Sequence, residues 1–537
     1  MRALAAFCSL LVCLAGSAGP APLPEGIELE PRGEVTIIVS VGGFGRDIPW
    51  REITALLPVF AGVGADTLAL WPVWDHIGPT GAIPVRTPTG PRDLRVGPEI
   101  HHWVPTDYTA LDPHRGTEEE FRRLVEEAHR LGLKVVPVLQ VTYALPGGFV
   151  HEHHPEWILR SETGGYAVTW PWYRAPWGYA LDKSHPGLIE FVTRTVLPHW
   201  IEEWGVDGVW LDSPGMQCCS PRVRGILARL EAAPGAECLT PIGEEISTEP
   251  LARAMCSAIE KLEGELGREL VCAAETPFGG WADFPDAYIE ALVRRDVAAA
   301  RSALEGPEVG ASCAPYWDWF CDYLFRERLM DVYLGGELSY SRAYVEQFEL
   351  EARSPIPQEK RVRFVNQLNG WARHLLLLEP EVAGCYITLA ATAPGRTFWI
   401  EGADLVLPEH RELLRAWYKR LVAIKRAFPA LQRTNIEDAL LEPQVKGLIA
   451  YNRWAGEEAV TVIVNLNPEP VECTVRTRFA RGTAIRDLLS GEAFPGDPGS
   501  LRIPMPLTAR GSWPVIGSRD GPRMIGHPGF PHYLERC

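Results

Sequence analysis

Two hydrophobic patterns alternate along most of this chain. Short apolar runs rich in β-branched residues occur at 36–41, 67–72, 133–139, 206–212, 270–275, 363–366 and 397–400. Between them lie longer stretches whose apolar residues return every three or four positions, at 50–62, 117–131, 185–203, 250–266 and 409–428. The first kind of spacing predicts buried strands and the second predicts amphipathic helices. The segment 117–131 has a clear start and stop. Thr117 is placed to cap it, Glu118, Glu119 and Glu120 fill its first turn, and Gly132 follows its end. A sixth strand is expected somewhere in 314–323. Strand and helix alternating over this length predict an α/β fold, a (β/α)8 TIM-type barrel spanning 34–434. The alternative is a doubly wound sheet, but no glycine-rich phosphate loop supports it.

Beyond 435 the pattern becomes short strands separated by polar turns, at 447–452, 459–465 and 471–475. This predicts a C-terminal antiparallel β-sandwich domain over 435–517, followed by a Gly-, Pro- and His-rich tail at 518–537. At the other end, Arg2 precedes an apolar run from Ala3 to Ala15 and the small residues Gly16-Ser17-Ala18. That order reads as a signal peptide over 1–18 and an exported, secreted or periplasmic protein. The run is short for a transmembrane helix, and no insertion in a membrane is expected. Cys8 and Cys13 fall inside this segment, leaving ten of the twelve cysteines. Export permits disulfides, and Cys218, Cys219 and Cys238 are candidates whose pairing stays open.

Charge and composition narrow the partners. A net charge of −17 argues against nucleic acid. Nineteen tryptophans, some clustered at Trp71, Trp74 and Trp103 or at Trp170, Trp172 and Trp177, offer flat rings of the kind that stack on sugars, although ordinary core packing uses the same residues. Two apolar runs end on a carboxylate. Gly205-Val206-Asp207-Gly208-Val209-Trp210-Leu211 leads to Asp212, and Leu270-Val271-Cys272-Ala273-Ala274 leads to Glu275. In a parallel barrel, residues at the C-terminal ends of strands line the mouth where substrates bind. Two such acids on consecutive strands are suited to glycosidic cleavage, in which one stabilises the sugar cation and the other protonates the leaving oxygen. The other readings of a strand-end Asp are a helix cap or an ion-pair partner.

These segments together resemble glycoside hydrolase family 13, the α-amylase family. The resemblance runs from about 34 to 516 and rests on Asp107-Tyr108, on Asp112-Pro113-His114-Arg115-Gly116-Thr117, on Gly205 to Asp212, on Ala274-Glu275, on Pro394-Gly395 to Gly402, and on Phe428-Pro429-Ala430-Leu431. It implies a retaining glycosidase or transglycosidase acting on α-linked glycans, with Asp212 as nucleophile and Glu275 as acid/base. It also implies carbohydrate contacts from Asp107, Tyr108, Tyr143 and Asn369, to which Trp71 and Trp210 are added as ring platforms. The chain departs from the family pattern at several places. Trp210 replaces an Arg, Val138 an Asp, Thr142 and Tyr143 an Asn and a His, and Asn369 the third carboxylate. Because Thr142 stands where a calcium-binding Asn is usual, neither calcium nor any other metal or cofactor is expected. The stretch from Trp157 to Asp182 is also similar to α-galactosidase-type barrels. Two alternatives follow: an α-galactosidase-like hydrolase, or a barrel that binds glycans without cutting them.

Overall fold

The computed structural model describes residues 7–10, 36–41, 48–78, 81–96, 103–169, 176–213, 218–230, 238–294, 296–305, 308–333, 335–365, 380–401, 411–440, 443–467 and 471–478, with short pieces between 485 and 505. Eight parallel strands close into a barrel. They are β1 (Ile37–Val41), β2 (Thr67–Leu70), β3 (Lys134–Leu139), β4 (Gly208–Leu211), β5 (Val271–Ala274), β6 (Phe320–Cys321), β7 (Arg361–Arg363) and β8 (Arg396–Glu401), and β8 pairs back onto β1. The expected (β/α)8 barrel is therefore present. The sixth strand lies inside its expected window, and the seventh starts two residues earlier than the apolar run suggests, because Arg361 and Arg363 are buried by ion pairing.

Local chemistry sets the elements. Helix α1 (Trp50–Gly62) and helix α2 (Glu118–Arg130) pack against each other. In α2 the Thr117 hydroxyl accepts from Glu120 N–H while the Glu120 carboxylate accepts from Thr117 N–H, a reciprocal cap. The helical stretch at 186–203 is α-helical over Pro186–Phe191 and continues as π-helical turns over Val192–Val196 and His199–Glu203. Entry into β4 is fixed by Asp207, whose carboxylate accepts from Val135 N–H at 2.7 Å, contacts His129 Nε2 at 2.8 Å and pairs with Arg268. Gly208 follows with φ +125°, and a Cβ there would stand 2.0 Å from the Val271 carbonyl. Only glycine lets β4 approach β5 this closely.

The C-terminal part is antiparallel. Strands β9 (Leu448–Ala455) and β10 (Glu458–Asn465) form a hairpin, with Glu437–Asp438 on the β9 edge and Phe7–Leu10 paired along β10. Val471–Val475 pairs with Leu501–Met505. Cys219 is bonded to Cys238, which answers the open pairing and leaves Cys218 a buried thiol; a second disulfide, Cys256–Cys272, was not foreseen. Among the described residues no helix is long and apolar enough to cross a membrane.

Candidate active site

The barrel register places Asp212 beside Glu275. Leu211 pairs with Ala274, and Glu275 N–H donates to the Leu211 carbonyl at 2.9 Å, so the next residues along β4 and β5 stand level. The two carboxyl groups hydrogen-bond to each other, and both residues are buried. Such a bond needs one shared proton.

Beneath the acids the barrel is filled with rings. Trp210 has its centroid 4.9 Å from Trp71 and 5.3 Å from Trp319, in edge-on contacts, and Trp103 lies 4.4 Å from Trp71. This apolar floor removes water from the site. Burial, reinforced by the Glu275 charge and its hydrogen bond, raises the Asp212 carboxyl well above the usual range, and Lys183 pulls it back.

Ser213 organises the pair. Its N–H and Oγ donate to Glu275 Oε2 at 2.9 and 2.8 Å, so that oxygen acts as an acceptor and a proton on this carboxyl sits on Oε1. Its φ of +42° is the left-handed region, which costs a non-glycine residue energy and is found at functional sites. Two other side chains hold the same turn. Thr142 Oγ1 lies 3.0 and 2.9 Å from the Asp212 and Ser213 carbonyls, and Lys183 Nζ donates to the Ser213 carbonyl at 3.0 Å. Thr142, at the position of the missing calcium ligand, is thus committed to backbone.

Sequence reasoning overlooked Lys183, Ser213 and Gln140. Gln140 follows β3, whose Leu139 pairs with Leu211, so it stands level with Asp212. It is fully buried, donates Nε2 to the Tyr143 carbonyl at 3.1 Å, and its Oε1 has no hydrogen-bond partner among the described residues. Lys183 follows the strand pair of Tyr143–Ala144 with Tyr179–Ala180, and no spacing in the sequence ties it to residues 30 or more positions away.

The remaining expected contacts fall as follows. Trp71 and Trp210 lie in the floor, and Trp210 has no exposed face. The buried ring of Tyr143 meets Trp177 edge-on at 5.6 Å. Tyr108 donates its hydroxyl to the Gln140 carbonyl at 2.9 Å and packs among Trp74, Phe149 and Phe191, which makes it an anchor for the loop after β3. Asp107 Oδ1 accepts from Thr109 N–H and hydroxyl, both at 2.7 Å, and so closes its own turn. Asn369 lies outside the described residues. Elsewhere, Asp75, Asp112 and His114 each bring one possible ligand atom within 4.8 Å of the others. Asp75 already accepts from Thr106 Oγ1 at 2.7 Å and His76 N–H at 3.0 Å.

Comparison with known proteins agrees with this architecture. No family model matches the chain. A probable α-glucosidase from Rhizobium meliloti is 33% identical over 123 residues, covering 23% of this chain and 17% of the relative. Neopullulanase 2 from Thermoactinomyces vulgaris is 22% identical over 438 residues, 76% of this chain and 64% of the relative. The matched stretches thus span less than two thirds of either relative. The solved structure of an α-amylase from Lactobacillus plantarum superposes with a TM-score of 0.60 at 19% identity, covering 88% of this chain and 97% of that one. The fold is that of the α-amylases. Sequence relatives and fold thus agree with the resemblance to the α-amylase family that the motif order gives.

Proposed function

We propose that this protein is a glycosidase or transglycosidase that cleaves α-linked glycans with retention, Asp212 acting as nucleophile and Glu275 as acid/base. The observation that carries this reading is the level, hydrogen-bonded placement of the two acids at the ends of adjacent barrel strands. A retaining site holds its carboxyl groups ~5–5.5 Å apart, with the anomeric centre between them. The pair has to open by only a small amount to admit a sugar, which takes over the contact each acid makes with the other. In the productive complex the shared proton goes to Glu275, which passes it to the leaving oxygen, while ionised Asp212 attacks. Water then attacks the glycosyl–Asp212 bond as Glu275 takes its proton; in transglycosylation a sugar hydroxyl replaces water. Gln140 Oε1, buried level with Asp212, is placed to accept from a sugar hydroxyl.

The test is a panel of α-glucosides, α-galactosides and polysaccharides, with product anomers followed by NMR and Asp212→Asn as control. Release of the α-anomer from an α-glucan, absent in the control, supports the proposal. Release from α-galactosides alone favours the α-galactosidase-like alternative. Saturable binding with no turnover identifies a carbohydrate-binding barrel. Export belongs to the same proposal. Removal of a leader over 1–18 would take away the Phe7–Leu10 strand and uncover the edge of β10, and N-terminal sequencing of material from the medium or periplasm should start near Gly19.

A further inference from the structure

A buried lysine is bonded to the turn that follows Asp212, feels the charge of both acids, and has no part in the scheme above. Lys183 is 1% exposed, and its Nζ sits 3.0 Å from the carbonyl of Ser213, the residue that follows Asp212 and clasps Glu275. One turn of backbone therefore ties the ammonium group to both carboxyls. An isolated ammonium costs several kcal/mol to bury, and a neutral donor would serve the Ser213 carbonyl as well. The reason for a cation here lies in its neighbours: the charged and titratable groups that act on it are Asp212, Glu275, Cys218 and Cys313. A further thiol, Cys321, acts on Glu275. The position on β4 that faces into the barrel below Asp212 is Trp210, which brings no charge.

We propose that Lys183 is a positioning residue of the active site, whose ammonium group supplies the positive charge that allows Asp212 to ionise and leaves the shared proton on Glu275. This rests on the glycosidase reading for its consequence but not for its electrostatics. Burial pushes Lys183 down to about 7, against the opposing pull of Cys218, Asp212, Cys313 and Glu275. The countercharge is thus present in acid and is lost as pH rises through about 7. Activity that depends on it falls over the same range.

The test uses the full chain with Lys183→Gln, which keeps a donor for the Ser213 carbonyl but no charge, and Lys183→Arg, which keeps the charge. Infrared titration of the unliganded protein reads the protonated carboxyl band. In Lys183→Gln this band should persist about one pH unit higher or more than in the wild type, while Lys183→Arg should follow the wild type. On an α-glucan, Lys183→Gln should lower kcat with little change in KM, and Lys183→Arg should move the fall of kcat/KM near pH 7 to higher pH. A folded Lys183→Gln with wild-type carboxyl titration overturns the proposal. If neither variant folds, NMR of side-chain-labelled lysine in Asp212→Asn decides: the Lys183 titration must move to lower pH, and an unmoved titration overturns the proposal. A protein with no turnover, but with the expected titration shifts, sinks the glycosidase reading and leaves the charge relationship standing.

Discussion

Val138 and Trp210 are register partners on β3 and β4, both fully buried. They occupy the two positions at which the family resemblance implies an Asp and an Arg. The two departures from the family pattern therefore stand side by side, two apolar neighbours where the resemblance implies two charged residues. Losing only one charge would leave the other buried without a partner, which is strongly destabilising, whereas replacing both with packed apolar groups is often neutral or stabilising. Trp210 also gains edge-on contacts with Trp71 and Trp319.

The first prediction concerns this pair. Trp210→Arg alone, or Val138→Asp alone, should each cost about 3–5 kcal/mol, as an unpaired buried charge does. The double substitution should cost clearly less than the sum. Denaturant unfolding of all four proteins gives the coupling, and strict additivity would show that the two positions do not communicate.

Asp212→Asn should lower kcat by several orders of magnitude and at the same time raise the melting temperature at neutral pH. The Asp212 carboxyl is raised by burial and by Glu275. A group raised in the folded state stabilises it below its unfolded pKa, and that contribution is lost as pH rises through the folded value. An amide removes the charge that is costly at neutral pH, so the gain in melting temperature should shrink as the solution is acidified. A variant less stable than the wild type at pH 7 would contradict the assignment of strain to this carboxyl.

Ser213 can be dissected with two substitutions. Ser213→Ala removes the hydroxyl that binds Glu275 but keeps the N–H and the left-handed backbone. Ser213→Gly removes the hydroxyl and relieves the backbone. Both should impair turnover similarly, by roughly tenfold for the loss of one charge-assisted hydrogen bond of ~1.5–3 kcal/mol. Only the glycine variant should recover stability, by about 1 kcal/mol. Equal melting temperatures for the two variants would remove the case for strain.

Much of this was legible in the sequence, and the reasons are specific. The strand windows, the α2 cap at Thr117 and the two strand-end acids follow from local pattern, because each is decided within a few residues. The ring floor under the acids is partly legible, since Trp71 and Trp210 are candidates for sugar contact in the sequence, but Trp210 is packed against Trp319, which stands just before β6. Lys183 and Gln140 were not legible. They meet the acids only through barrel closure, and a single Lys or Gln carries no periodic signal. The pairing of Val138 with Trp210 is invisible in the sequence for the same reason, although each departure is visible there on its own.

Buried ions of a different kind hold the barrel at β6 and β7. Glu351 Oε2 accepts from Arg363 at 2.6 Å, Arg328 also pairs with Glu351, and Arg363 pairs with Asp322. Burial alone would raise the Glu351 carboxyl, but Arg328, Arg363 and Arg361 outweigh it and hold the group well below the usual range. Its stabilising contribution is present above the unfolded carboxylate value of ~4.3 and is lost as pH falls through the lower folded one. Glu351→Gln should cost about 3–5 kcal/mol at pH 7. The difference from the wild type should narrow progressively below about pH 4, as chemical unfolding across pH would show. A constant difference would mean that the loss comes from packing and not from charge.

The C-terminal sheet should be indispensable to the barrel. Three contacts make the junction polar and buried as well as apolar. Ser341 Oγ lies 2.6 Å from both the Ala450 carbonyl and Asp438 Oδ1 and accepts from Ala450 N–H at 2.9 Å. The hydroxyls of Thr392 and Tyr451 are 2.5 Å apart. Arg453, fully buried on β9, donates to the carbonyls of Thr392, Arg433 and Asn435. Removing the chain after residue 434 would strip partners from Ser341 and Thr392 and expose the apolar surface that Ile449, Tyr451 and Ile463 now cover. Each buried polar group left without a partner costs ~1–3 kcal/mol, and an exposed apolar face of this kind drives association. A 1–434 chain should accumulate as aggregates, and Arg453→Met in the full chain should lower the melting temperature without detaching the sheet. Size-exclusion chromatography with thermal melts checks both outcomes. A monomeric 1–434 chain with one cooperative transition would show that the barrel folds on its own and that the sheet is only an appendage.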